Sequence, residues 1–180
     1  MVPEPDELIE VFDLFMLDKS VEIKEGILEN LPMFISTLAD KEHFVIKNND
    51  ILTQRNLKWR DRIIQASNLT QIVGLIRPKV FEQFLPYYLE LCTDEVAEVR
   101  IHASLNFHKI LKHLPVYDQI KEFKQSKKYT KRQDFIAMCE GAMLHTPDLF
   151  GSHLLQSFCE LQSDPIVNVR LELSLTLEKA

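Results

Sequence analysis

The chain has 180 residues, 46% hydrophobic and 27% charged, enough to bury a core and too apolar for a disordered segment. Its four glycines are too few for the Gly-rich turns of a doubly wound fold or a sandwich. A net charge of −6 argues against broad nucleic-acid binding, which needs a basic surface, and no apolar run is long enough to span a bilayer.

In chain order, Met1 to Glu7 is acidic and lacks the basic start of a secretory signal. Amphipathic segments then recur over about 5–17, 42–53, 78–92, 117–125 and 147–161, with Pro78, Pro115 and Pro147 punctuating the links near helix starts. After each comes a basic residue opening a second helix: Lys24, Arg62, Arg100, Arg132 and Arg170, at spacings of 38, 38, 32 and 38. Three, four, seven and ten places beyond each of these anchors stand mostly small or apolar residues. The set Ala103, Ser104, Phe107 and Ile110 is typical, and Gln65 is the one clear misfit. That spacing marks one face of a helix.

A second signature precedes the anchors. Asp18, Asn56, Asp94 and Asp164 lie six residues upstream, placed to cap the following helix, and Ile23, Val99 and Val169 stand directly before the anchor. In stacked units an Asp at −6 and an Arg at 0 can also form a ladder from one unit to the next. A block repeating at a fixed period of about 38 residues predicts an all-α solenoid of stacked helical pairs.

The units match the HEAT consensus, and the order of their variants resembles one family. Lys58-Trp59-Arg60-Asp61-Arg62 looks like the K-W-R-x-R block of the scaffold subunit of protein phosphatase 2A. Val96-Ala97-Glu98-Val99-Arg100 falls one repeat later, followed by Tyr129-Thr130-Lys131-Arg132 and by Asp164-Pro165-Ile166-Val167-Asn168-Val169-Arg170, similar to the family's D-P-x-x-N-V-R. The likeness covers roughly residues 18–180 and extends to the related protein phosphatase 4 regulatory subunits. Ala97 departs from it, standing where the family usually has Tyr.

The resemblance implies an armadillo-like α-solenoid of about five HEAT repeats in a right-handed superhelix, one domain over 1–180 and a piece of a longer solenoid. The repeats would fall at approximately 5–39, 42–75, 78–114, 117–146 and 147–180. It implies a cytoplasmic protein, present also in the nucleus, that binds a Ser/Thr phosphatase catalytic subunit along its intra-repeat loops and recruits a substrate-selecting regulatory subunit. The matching contact residues are Lys58, Trp59, Arg60, Tyr129, Arg132, Ile166 and Val167.

Trp59, the sole Trp, sits between two cations in what reads as a loop; such a residue is either an interface anchor or packed under the loop. The stretch from Lys121 to Arg132 is either a basic patch for an acidic partner or a solvated helix end. Cys92, Cys139 and Cys159 are odd in number and widely spaced, as expected of reduced thiols. His102, His108 and His113 form no i,i+4 pair, and no phosphate loop or hydrolase motif occurs. No catalytic residue, cofactor, metal, nucleic acid or membrane is therefore expected. The alternative reading is another HEAT adaptor, a tubulin-binding TOG-type domain or a nuclear-transport receptor, with an enzyme of the concave groove as the third class.

Overall fold

The computed structural model describes residues 5–179. Among them every regular element is helical and no strand forms. These residues divide at Leu85/Pro86 into two compact units, inside the helical stretch that the repeat pattern assigns to its third period.

In the first unit, Pro5–Met16 packs on Val21–Glu29, and Val21–Glu29 and Leu31–Thr37 pack on Trp59–Ile72. Local chemistry sets the starts. The Ser20 hydroxyl accepts from the Ile23 N–H, and the Asp40 carboxylate from the His43 N–H, opening Lys41–Lys47. Phe12, Phe34 and Phe44 pack ring on ring with centroids 5.1–5.4 Å apart. Ala66, Leu69 and Ile72 are completely buried, each large one stabilising by about 1.5–3 kcal/mol over exposure.

Gln65 is no misfit in the fold. It is buried on the same face, and its Nε2 donates to the Ile51 carbonyl at 3.0 Å, satisfying an oxygen at the end of Asn49–Leu52. Asn68 does likewise across the packed helices, donating to the Leu28 carbonyl at 2.7 Å.

In the second unit, Ala97–Asn106 packs along Tyr129–His145, which also packs on Val167–Leu177. The segments Tyr117–Lys124 and Phe150–Leu154 lie against the Tyr129 helix as well. Close approach depends on Gly141: a Cβ there would stand 1.9 Å from the Leu105 carbonyl oxygen. The last leading segment is one helical run of mixed pitch. It begins at Pro147, widens to a π-turn at Phe150–Leu154 with Phe150 and Leu154 buried, and tightens to a 3-10 turn at Glu160–Ser163. Cys92 and Cys139 are buried free thiols, which burial pushes up in pKa, whereas Cys159 is an exposed one.

The periodic apolar face holds best mid-chain. Ala103, Ser104, Phe107 and Ile110 are all completely buried, as are Phe135, Ile136, Cys139 and Ala142. It weakens at the first helix, Val21–Glu29, which has no buried residue, and at the last, where Leu173 is buried but Leu177 is exposed. Ala180 lies outside the described residues.

Candidate protein-docking surface

Four of the five anchors share one geometry at their helix starts. Arg62, Arg100, Arg132 and Arg170 each turn a guanidinium Nη1 back onto a carbonyl of their own preceding loop: Leu57, Asp94, Ser126 and Asp164, at 2.6–2.8 Å. The upstream Asp does not cap the helix, as the sequence suggested. Asp18, Asp94 and Asp164 each accept from the N–H two residues on, at Ser20, Val96 and Ile166, at 2.7–2.9 Å. They are Asx turns inside the loop, because the chain needs two further residues before helical pitch begins.

As a result the residue three before each anchor is the first residue of its helix in all five places: Val21, Trp59, Ala97, Tyr129 and Val167. The sequence placed Trp59, Arg60, Tyr129 and Val167 within loops; they stand instead in the opening turns of their helices. There the side chain projects beside the free N–H groups with no preceding turn to pack against, and all five are exposed.

Lys58, Trp59 and Arg60 are exposed together at one such start. Trp59 is 39% exposed, and the Arg60 guanidinium carbon lies 4.9 Å from its ring centroid. This stacking holds the indole outward and leaves an amphipathic plate with a cation over it. Tyr129 is 43% exposed, and Ile166 and Val167 form an apolar pair at the next start. The Tyr129 and Val167 helices are direct neighbours, so these two openings lie side by side in the second unit; Lys58, Trp59 and Arg60 belong to the first.

Arg132 has a different environment. It is buried, with Nε 2.6 Å and Nη2 3.0 Å from the Asp164 carboxylate and Nη1 on the Ser126 and Lys127 carbonyls. The guanidinium holds the Asp164 carboxyl below its usual range. Four of its donor contacts are thus internal, two of them the forked pair that ties the Tyr129 helix to the loop before the Val167 helix.

Three features were not singled out in the sequence. Asp134 is buried against the Arg100 Nε at 3.1 Å, and burial pushes its carboxyl up to about 7 although Arg100 and Lys131 pull it down. Glu140 is buried and receives the Lys179 ammonium at 2.8 Å. His108 stacks on His145 at 4.4 Å, with burial, His145, Lys109 and Lys112 lowering its pKa. Helix periodicity carried no signal for Asp134 and Glu140, which lie outside the apolar face of a helix that its neighbours bury on more than one side.

Among the described residues no group of three His, Cys, Asp or Glu side chains could hold a metal ion, and no helix is long and apolar enough to cross a membrane. No protein family model matches the chain, and no curated protein matches it.

Proposed function

We propose that the chain is a stack of HEAT-type helical pairs that serves as a docking scaffold for a Ser/Thr phosphatase catalytic subunit. The observation that supports this most directly is the recurring exposed helix opening, occupied by Trp at 59 and Tyr at 129. Exposed aromatics beside cations have the composition of binding hot spots. Lys58, Trp59, Arg60, Tyr129, Ile166 and Val167 make the contact, and Arg132 acts by holding the Tyr129 and Val167 starts in register. A substrate-selecting subunit docks elsewhere on the same chain. The order of the K-W-R-x-R, V-x-x-V-R, Y-x-x-R and D-P-x-x-N-V-R blocks supports the choice of partner.

Capture of purified phosphatase catalytic subunit on the immobilised chain tests the proposal. Trp59→Ala is expected to weaken capture by about 2 kcal/mol or more, the size of a hot-spot truncation. Leu69→Ala, in the completely buried face, is expected to cost about 2–5 kcal/mol of folding stability instead. Absence of capture, or Trp59→Ala leaving capture unchanged, overturns the reading; co-sedimentation with tubulin in its place supports the TOG-type alternative.

A further inference from the structure

The helix Val21–Glu29 carries a glycine in its interior that the backbone does not require. Gly26 has no positive φ, and a Cβ added to it would meet nothing within 4 Å, whereas one at Gly141 would strike the Leu105 carbonyl. Glycine weakens a helix interior, so its use at 26 lies in the space it leaves. That space is a groove of about 260 Å³. Leu8, Val11, Phe12 and Phe15, spaced three, four and seven along one face of Pro5–Met16, line one side of it, and Gly26 and Ile27 line the other. Asn30 also lines it, with its amide donating to the Gly26 carbonyl at 2.8 Å, and no ionisable side chain does. Val11 and Phe15 remain 45% and 44% exposed, and Val21–Glu29 buries none of its residues.

Around this apolar lining the charge is negative. Residues 7–29 carry seven acids against two lysines, a balance of −5 in a chain of net −6. Glu22 and Glu29 stand four before and three after Gly26, its neighbours on the helix surface, and both are exposed. Glu7, also exposed, stands four before Val11 on the other helix. The two lysines are Lys19, in the loop joining the helices, and Lys24, half-buried three places before Ile27.

We propose that this groove receives an amphipathic helix of a partner protein, which sets an apolar anchor over Gly26 and carries Lys or Arg along its flanks. An apolar floor between acidic flanks matches such a helix in both shape and charge. No group of polar atoms converges in the groove to orient a small polar ligand. The surrounding acids repel a fatty carboxylate or an anionic headgroup, and a second copy of the chain would bring the same negative patch against this one. None of the residues assigned to the phosphatase contact lies here, so the two readings fail separately.

The test uses the whole chain and a fluorescein-labelled helical peptide with Leu at spacings of three, four and seven and Lys elsewhere, followed by anisotropy. Binding is expected at low salt and should weaken as salt rises. The same residues in scrambled order, or Glu in place of each Lys, should bind at least about tenfold more weakly. Gly26→Leu fills the groove from a position with open space at its root and improves the helix. It should weaken binding at least about tenfold with no fall in melting temperature, an outcome unfolding does not reproduce. Glu22→Gln with Glu29→Gln should weaken binding less and flatten its dependence on salt, a reading independent of Gly26. No binding, equal binding of either control peptide, unchanged binding by folded Gly26→Leu, or an unchanged salt dependence in the Gln pair would each overturn the proposal. So would a dimer of the chain that Gly26→Leu dissociates, because the occupant would then be a second copy.

Discussion

The two units solve the same packing problem with different polar chemistry. Among the described residues the first buries no charged side chain; its buried polar groups are Gln65, Asn68 and Thr70, with the two amides joining packed segments through backbone carbonyls. The second buries Arg132, Asp134, Glu140 and Asp164, and its neighbouring helices are joined by ion pairs. A neutral amide loses little on burial once it is bonded, whereas a buried charge is tolerated only while its partner is in place. The first arrangement should therefore be forgiving and insensitive to pH, the second exacting and responsive to it.

The largest expected effect breaks the exacting side. Asp164→Ala leaves the Arg132 guanidinium buried without its carboxylate and should cost about 3–5 kcal/mol in denaturant unfolding. Asn68→Ala in the first unit removes one donor to a carbonyl and should cost about 1–3 kcal/mol. Equal costs would erase the contrast. Gly141→Ala comes next: the added methyl meets the Leu105 carbonyl backbone, so the Ala97 and Tyr129 helices must part, at about 1–3 kcal/mol.

The pH response sharpens the comparison further. Burial raises the Asp134 carboxyl in the folded protein to about 7, above the 3.8 of an ordinary aspartate, so the folded state holds this proton more tightly than the unfolded one. Its contribution is present below 3.8 and lost as pH rises through about 7. His108 has the reverse sense. Burial holds its folded pKa below the 6.5 of an ordinary histidine, so the unfolded state binds the proton more readily and stability falls as pH drops beneath 6.5. The two therefore oppose each other below neutrality, and the decline in melting temperature on acidification is expected to steepen in Asp134→Asn and to flatten in His108→Gln. A decline unaltered by either variant would remove these groups from the account. Smallest of all should be Glu42→Gln, which breaks a solvent-screened pair with the largely exposed Arg77 and should leave the same unfolding curve almost unchanged.

What was legible in the sequence followed from periodicity. The five anchors marked five helix starts, and the face three, four, seven and ten residues on is the buried face through the middle of the chain. What was illegible depended on contacts across many residues. Gln65 read as a misfit because its carbonyl partner is fourteen residues away on another segment. Arg132 read as a partner contact because it matched the family's Y-x-x-R block; within the chain it pairs with Asp164, 32 residues on, as the Asp–Arg ladder had suggested for other members. The break at Asn48 carries no glycine or proline, and Gly151 inside the π-turn at Phe150–Leu154 does not by itself specify a wider pitch, since packing decides where pitch changes.

The helix openings have one more consequence. Val, Trp, Ala, Tyr and Val occupy the same backbone position five times, and each is solvent-facing, so the backbone sets no size or polarity for the residue there. At four of the five, the arginine three places on, with its carbonyl bond, fixes the turn whatever that residue is. Stability and recognition are thereby written in separate letters of one short block. Ala97 can be exchanged for Trp or Tyr, or Trp59 for Ala, without recasting the framework, and a chain of this construction can acquire a new partner by single substitutions while its core stays as it is.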